Sequence, residues 1–255
     1  MVIKNIKLNT NENTRDFSYI TIDDQYVINR CSFIRSNDIT NFSLDNIDIL
    51  KKQFNLKTVI DLRDKNEVLL SPNKIKDIKY YNIPLFEKRK KSKNNNSNKQ
   101  KVCKVPNIYE TYLDMVRTRT AKKQLKKILK ILMSKRDGCI LFHCTFGKDR
   151  TGLISFLLLY ILHASIDDIK KDYLYSNIYL EPIAIDKYNY YLEKSRDVDY
   201  SLKMKDVFMV KEEYLDYIIN YMIEKCGSID NYIKNELGIN DKKIKKFRDR
   251  ILIKK

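Results

Sequence analysis

Tryptophan is absent from this 255-residue chain, and glycine (5), proline (4) and histidine (2) are scarce. So little Gly and Pro excludes collagen-like and low-complexity architectures. The cysteines, Cys31, Cys103, Cys139, Cys144 and Cys226, are odd in number and scattered, with no C-x-x-C pair. Neither a zinc ribbon nor a complete disulfide framework fits that spacing, and free thiols in a reducing compartment are expected. Long apolar runs are also missing. The greasiest stretch, Leu153–Leu162, falls short of the about 20 residues a spanning helix needs, so it reads as a buried core helix. Met1–Thr10 alternates apolar and polar residues and has no signal-peptide core. A cytoplasmic protein is expected, with export by a route without a signal peptide left open. With 43% apolar residues, the chain can bury a core without staples and fits one full-sized domain.

Acidic residues are in deficit: 33 against 50 Lys and Arg, a net charge of +17. That balance attracts anions such as nucleic acid, lipid headgroups or phosphorylated substrates. Enrichment in Lys, Asn and Ile equally fits an AT-rich coding bias. No helix combines a basic face with base-reading polar residues, so nucleic acid is not expected as a partner. The most polar segment, residues 88–104 (KRKKSKNNNSNKQKVCK), reads as a solvated basic loop, either a tolerated insertion or a lip that steers anions or meets an anionic membrane.

Strand and helix signals alternate through the first two-thirds. Residues 26–34 read as extended, and Ser43 as the N-cap of a helix with Leu44, Ile47, Leu50 and Phe54 on one face. Residues 57–62, 78–85 and 139–143 read as short strands; residues 108–116 and 121–133 read as amphipathic helices. This pattern predicts an α/β class with a parallel-rich central sheet flanked by helices. From Ser165 onward the chain reads as all-helical, with Gly238 as a stop and Asn240 capping a last helix. The expected organisation is a single domain over 1–255: an α/β core to 165 and a helical part over 166–255, packed on the sheet or forming a small cap.

The chemistry concentrates in His143-Cys-Thr-Phe-Gly-Lys-Asp-Arg-Thr-Gly152, between a compact strand and the apolar helix. Backbone N–H groups of such a loop, with those of the helix's first turn, form an anion cradle. A thiol at the floor of that cradle, with a guanidinium six residues on, is favoured as a thiolate. Cys144 is therefore the expected nucleophile. Arg150 can hold two oxygens of a phosphoryl group with its planar fork. Gly147 allows a sharp turn and close approach, and Thr151 can donate its hydroxyl to the departing thiolate. His143 reads as an orienting or structural histidine, and His163 as packing. The expected reaction is phosphomonoester hydrolysis through a phosphocysteine, with no metal or other cofactor. Such a thiolate is also exposed to reversible peroxide oxidation.

This loop resembles that of the cysteine-dependent phosphatases, in the H-C-x-x-G-K-D-R-T-G form of bacterial and fungal tyrosine and phosphoinositide phosphatases. Asn13-Thr-Arg-Asp16, Phe33-Ile-Arg-Ser36, Thr58-Val-Ile-Asp-Leu-Arg63 with Glu67, Tyr173-Leu-Tyr-Ser-Asn177 and residues 210–252 are similar to further segments of that family. The resemblance implies a protein-tyrosine-phosphatase-like fold and a hydrolase for phosphotyrosine, with phosphoserine, phosphothreonine and phosphoinositides as alternatives. It also implies a phosphate site at Thr145, Phe146, Gly147, Lys148, Asp149, Arg150 and Thr151 that would take phosphate, sulfate or vanadate. Lys148 is associated in that family with tolerance of lipid headgroups. Asp149 is favoured as general acid and Glu87 is the competitor, although the family often carries Asp where this chain has Glu87. Asp61, Arg63 and Glu67 read as an ion-pair network at the sheet end. Because residues 88–104 stand where longer relatives carry a lid, a comparatively open site is expected. A non-catalytic phosphate-binding module is the remaining rival reading.

Overall fold

A computed structural model describes residues 3, 6–8, 12–85, 105–134 and 137–255. Cys103, Glu87 and the basic run 88–104 lie outside the described residues.

Strands β1 (Arg15–Asp16), β2 (Thr21–Ile22), β3 (Tyr26–Ile28) and β4 (Phe33–Ser36) lead into helix α1 (Leu44–Gln53). Strand β5 (Leu56–Asp61), helix α2 (Lys65–Leu70) and strand β6 (Lys79–Asn82) follow. Helices α3 (Ile108–Arg117) and α4 (Arg119–Leu132) then precede β7 (Cys139–His143) and α5 (Asp149–Ile161). Helices α6 (Ile166–Tyr175), α7 (Asn177–Ser195), α8 (Val198–Phe208) and α9 (Glu212–Cys226) come next. Helix α10 (Ile229–Asn231) runs into a π turn (Tyr232–Glu236), and α11 (Asp241–Ile251) ends in β8 (Leu252–Lys254).

Among the described residues the main sheet has the order β1-β4-β7-β5-β6. Strands β4, β7, β5 and β6 are mutually parallel, and β1 pairs antiparallel at one edge. Helices cover both faces, which is why β7 (CILFH) is buried at every position rather than at alternate ones. Its side chains still alternate: Ile140 and Phe142 join a large core with α3, α4, α5 and α9, while Cys139 and Leu141 join a smaller core with Leu50, Phe54 and Val59. Helix α5 lies within the larger core and is buried nearly all round. The register aligns Ser36 and Asp61 with His143, so three parallel strands end together and their carboxyl ends share one edge. Open parallel sheets bind ligands beyond that edge.

Several local readings differ from expectation. The extended segment over 26–34 is two strands, because a turn closed by Ser32 N donating to Asn29 O (3.2 Å), with Cys31 at φ 64°, separates them. Ser43 caps α1 by accepting from Asn46 N at 3.2 Å, but Leu44 is 86% exposed and takes no part in the buried face. The last residues leave the helix: β8 pairs with β3 in a small sheet of order β2-β3-β8. Pairing with β3, remote in sequence, gives Ile253 and its neighbours a ladder that no helical periodicity reports.

Candidate active site

The segment from Cys144 to Lys148 leaves β7 at the carboxyl edge and enters α5 at Asp149. Its carbonyls are tied outward: Thr145 O accepts from Asp38 N (3.1 Å), Phe146 O from Asn13 Nδ2 (3.1 Å) and Gly147 O from Arg35 Nη2 (2.8 Å). In a trans peptide the C=O and the next N–H point in opposite directions. The amides of Phe146, Gly147 and Lys148 therefore turn to the other, concave side, where they can hold an anion with the first turn of α5. Gly147 adopts φ 67°, and a Cβ there would lie 2.8 Å from the backbone of Ser36 and Asn37. Only glycine fits this turn.

The donors behind the loop are held by a buried ion cluster. Arg15 Nε donates to Asp172 Oδ1 at 2.8 Å, Arg35 Nη1 bonds the other carboxylate oxygen, and Tyr19 Oη donates to Oδ1 at 2.5 Å. Asp172 is 1% exposed and both arginines are fully buried. Burial alone would push the Asp172 carboxyl up, but the two guanidiniums hold it below its ordinary value. Arg35 is lowered, by burial first and then by the charge of Arg15.

Cys144 lies at the base of the loop, 2% exposed. Arg150 reaches back from α5. Its Nη1 donates to Glu67 Oε2 (2.6 Å) and Leu62 O (3.3 Å), and its Nη2 to Glu67 Oε1 (2.9 Å) and Thr145 Oγ1 (3.3 Å). Burial lowers the Arg150 guanidinium, yet the Glu67 bonds, the Cys144 sulfur and the charges of Glu67 and Asp149 together raise it above its ordinary value. Glu67 also accepts from Thr145 Oγ1 (2.5 Å) and from Asp64 N (2.8 Å), the latter closing the capping box of α2. Burial pushes the Glu67 carboxyl up, but Arg150 outweighs it and brings it to about 2.

The expected ion-pair network is therefore two clusters. Asp61, Arg63 and Asp38 pair at the sheet end, with Tyr80 donating to Asp61, while Glu67 leaves that group to clamp Arg150. His143 is fully buried, its Nδ1 3.4 Å from Cys144 O and its Nε2 3.7 Å from Asp61 Oδ2. Burial, with Arg63 nearby, lowers its proton affinity. His163 lies away from the loop, 3.5 Å from Arg248. The Thr151 hydroxyl is buried and has no hydrogen-bond partner among the described residues. Lys148 is nearly buried, and its Nζ pairs with Asp149 Oδ1 at 2.8 Å. Asp149 Oδ1 also accepts from Tyr112 Oη at 2.6 Å.

Phe208 at the end of α8 packs edge-on against Phe146 of the loop, ring centroids 5.6 Å apart. Asn177 at the start of α7 bonds both backbone groups of Val210. The antiparallel α7–α8 pair is therefore rooted at the loop. The expectation of an open site rested on residues 88–104, outside the described residues; helices from the C-terminal part do border it. Among the described residues no cluster of three or more His, Cys, Asp or Glu is placed to hold a metal ion, and no helix is long and apolar enough to cross a membrane.

The profile of the tyrosine phosphatase family matches residues 6–253. The chain belongs to that family. It is 30% identical over 153 residues to a tyrosine-protein phosphatase of Nostoc commune, covering 59% of this chain and 50% of that protein. It is 33% identical over 107 residues to a Cupriavidus necator protein named "Putative tyrosine-protein phosphatase", covering 40% of this chain and 36% of the other. The match thus spans half or less of these relatives' length.

Of the side chains that matter here, Tyr112 carried no signal in the sequence, since it sits on an amphipathic helix and reads as core. Asp172 carried little, although it adjoins Tyr173 and the arginines that bind it lie in Asn13–Asp16 and Phe33–Ser36.

Proposed function

We propose that this protein is a phosphatase that hydrolyses phosphotyrosine esters through a phosphocysteine intermediate. The observation that carries the reading is the pairing of Arg150 with Glu67 beside the buried Cys144, at a loop whose Thr145, Phe146 and Gly147 carbonyls are drawn outward. That arrangement leaves inward-facing amides and a fixed guanidinium for a tetrahedral dianion. Arg150 cannot lose its charge, so it neutralises the phosphoryl oxygens throughout.

In the first step the Cys144 thiolate attacks phosphorus in line. The S–P bond forms, the bond from phosphorus to the leaving oxygen breaks, and Asp149 gives that oxygen its proton. In the second step water attacks, its proton passes to Asp149, and the S–P bond breaks to restore the thiolate, toward which the Thr151 hydroxyl, without a partner among the described residues, can donate. Cys144 at 2% exposure favours a long aryl phosphate over the short phosphoserine and phosphothreonine side chains, because the ester must reach the base of the loop.

The Cys144→Ser variant should lose turnover and retain vanadate or phosphate binding. Hydrolysis by that variant, with contamination excluded, would overturn the mechanism. A panel of phosphotyrosine, phosphoserine and phosphothreonine peptides beside mono- and polyphosphorylated inositides tests the substrate. Preference for the inositides, strengthened by anionic vesicles, would replace phosphotyrosine with a membrane lipid. Vanadate binding without any hydrolysis by the unaltered protein would leave a phosphate-binding module.

A further inference from the structure

The Asp149 carboxylate is not simply a loop residue open to solvent. Its Oδ1 accepts from two donors, Tyr112 Oη at 2.6 Å and Lys148 Nζ at 2.8 Å. Tyr112 comes from α3, far from the loop in sequence, and is 1% exposed. Its hydroxyl lies 2.5 Å from that of Tyr173 on α6, which is 2% exposed. A phenol has one hydrogen. Since Tyr112 spends its own on Asp149, Tyr173 must donate to Tyr112, and the bonds run one way: Tyr173 to Tyr112 to Asp149 Oδ1. Both hydroxyls are away from water, where an unpaired polar group is costly, so each locks the other.

The first turn of α5 is shaped to receive this pair. A Cβ on Gly152 would come within 2.9 Å of the Tyr173 ring, so the glycine that follows Thr151 makes room for it. The Tyr112 ring is held in turn by Tyr214 of α9, centroids 5.7 Å apart. Around Asp149 the charged and titratable neighbours are Lys148 and Arg150 on its own segment, and Tyr112, Tyr173 and Tyr214 from the helices packed on it.

We infer that Tyr112 and Tyr173 are positioning residues that fix the Asp149 carboxyl by saturating Oδ1, so that the transferable proton resides on Oδ2. A proton on Oδ1 would point at the Lys148 ammonium or the Tyr112 hydrogen, whereas Oδ2 meets neither. The pair thus assigns the two oxygens separate duties, one anchored to the helices and the other exchanging a proton with the leaving group and then with water. This rests on the acid role given to Asp149 above.

The test reads leaving-group dependence. Phenyl phosphate departs as a basic phenolate that needs a proton, and 2,4-dinitrophenyl phosphate departs as a weak base that does not. Tyr112→Phe should lower kcat/KM for phenyl phosphate by about tenfold more than for the dinitro ester, a part of the about 10²- to 10⁴-fold that acid catalysis supplies, because the acid itself is kept. Tyr173→Phe should act in the same direction with a smaller ratio, since it touches Asp149 only through Tyr112. Asp149→Asn should show the largest selective loss, and Tyr112→Phe added to it should change the ratio no further. The ratio of two substrates cancels the folded fraction, so a loss of stability in either tyrosine variant leaves the reading intact. Equal losses on both esters, or a Tyr112 effect that persists beside Asp149→Asn, would overturn the inference. An Asp149→Asn variant with no selective loss is a different failure, because it removes the acid role itself; an unaltered protein that cleaves neither ester removes the proposed function.

Discussion

Glu67→Gln is the substitution that discharges the Arg150 clamp, because the amide keeps the volume of the side chain and discards its charge, together with one acceptor oxygen shared with Thr145 or Asp64 N. The wild-type carboxyl sits at about 2 against a starting value of 4.5. That depression corresponds to at most about 3–4 kcal/mol of interaction. The pair is 15% and 23% exposed, so solvent screens part of it and about 1–3 kcal/mol is expected in urea unfolding at neutral pH. Glu67 is a group whose folded value is depressed, so its contribution is complete above about pH 4.5 and is lost as pH falls through about 2. The stability difference between wild type and Glu67→Gln should therefore be flat at neutral pH and close as the solution is acidified through that window. Turnover should fall by about 10- to 100-fold, since a guanidinium no longer held at two points meets the phosphoryl oxygens less often in the right geometry. An amide variant equal to wild type in both urea midpoint and kcat would refute the clamp. A stability gap that stays constant down to pH 2 would refute the charge as its cause.

Gly147→Ala should be destabilised by at least about 1 kcal/mol from its φ of 67° alone. It should lose vanadate affinity as well, because the new Cβ pushes the loop off Ser36 and Asn37; calorimetry on the folded fraction checks both. Asp172→Asn leaves Arg15 and Arg35 buried with their shared counter-charge gone. A cost of about 3–5 kcal/mol in chemical denaturation is expected, and a variant as stable as wild type would show that the cluster is not coupled to folding.

The strand-then-loop-then-helix order around Cys144 was legible because each part is local: a compact, mostly apolar run, a glycine turn, and an apolar helix buried nearly all round. Capping at Ser43, Ser165 and Asn240 was equally local, and each side chain accepts the expected backbone bond. Leu44 shows where that reading stops, since helical periodicity gives a face but not whether anything covers it.

What the chain alone determined was the chemistry available, a thiol and a guanidinium six residues apart at the mouth of a buried strand, because spacing along a backbone is a covalent fact. What only the tertiary structure decided was who holds those groups. Glu67 left the ion pairs of the sheet end for Arg150, Arg15 and Arg35 met around Asp172, and Tyr112 reached Asp149 across 37 residues. Those partnerships depend on which elements pack together, and hydrogen bonds between buried groups leave no periodic trace in the sequence that forms them.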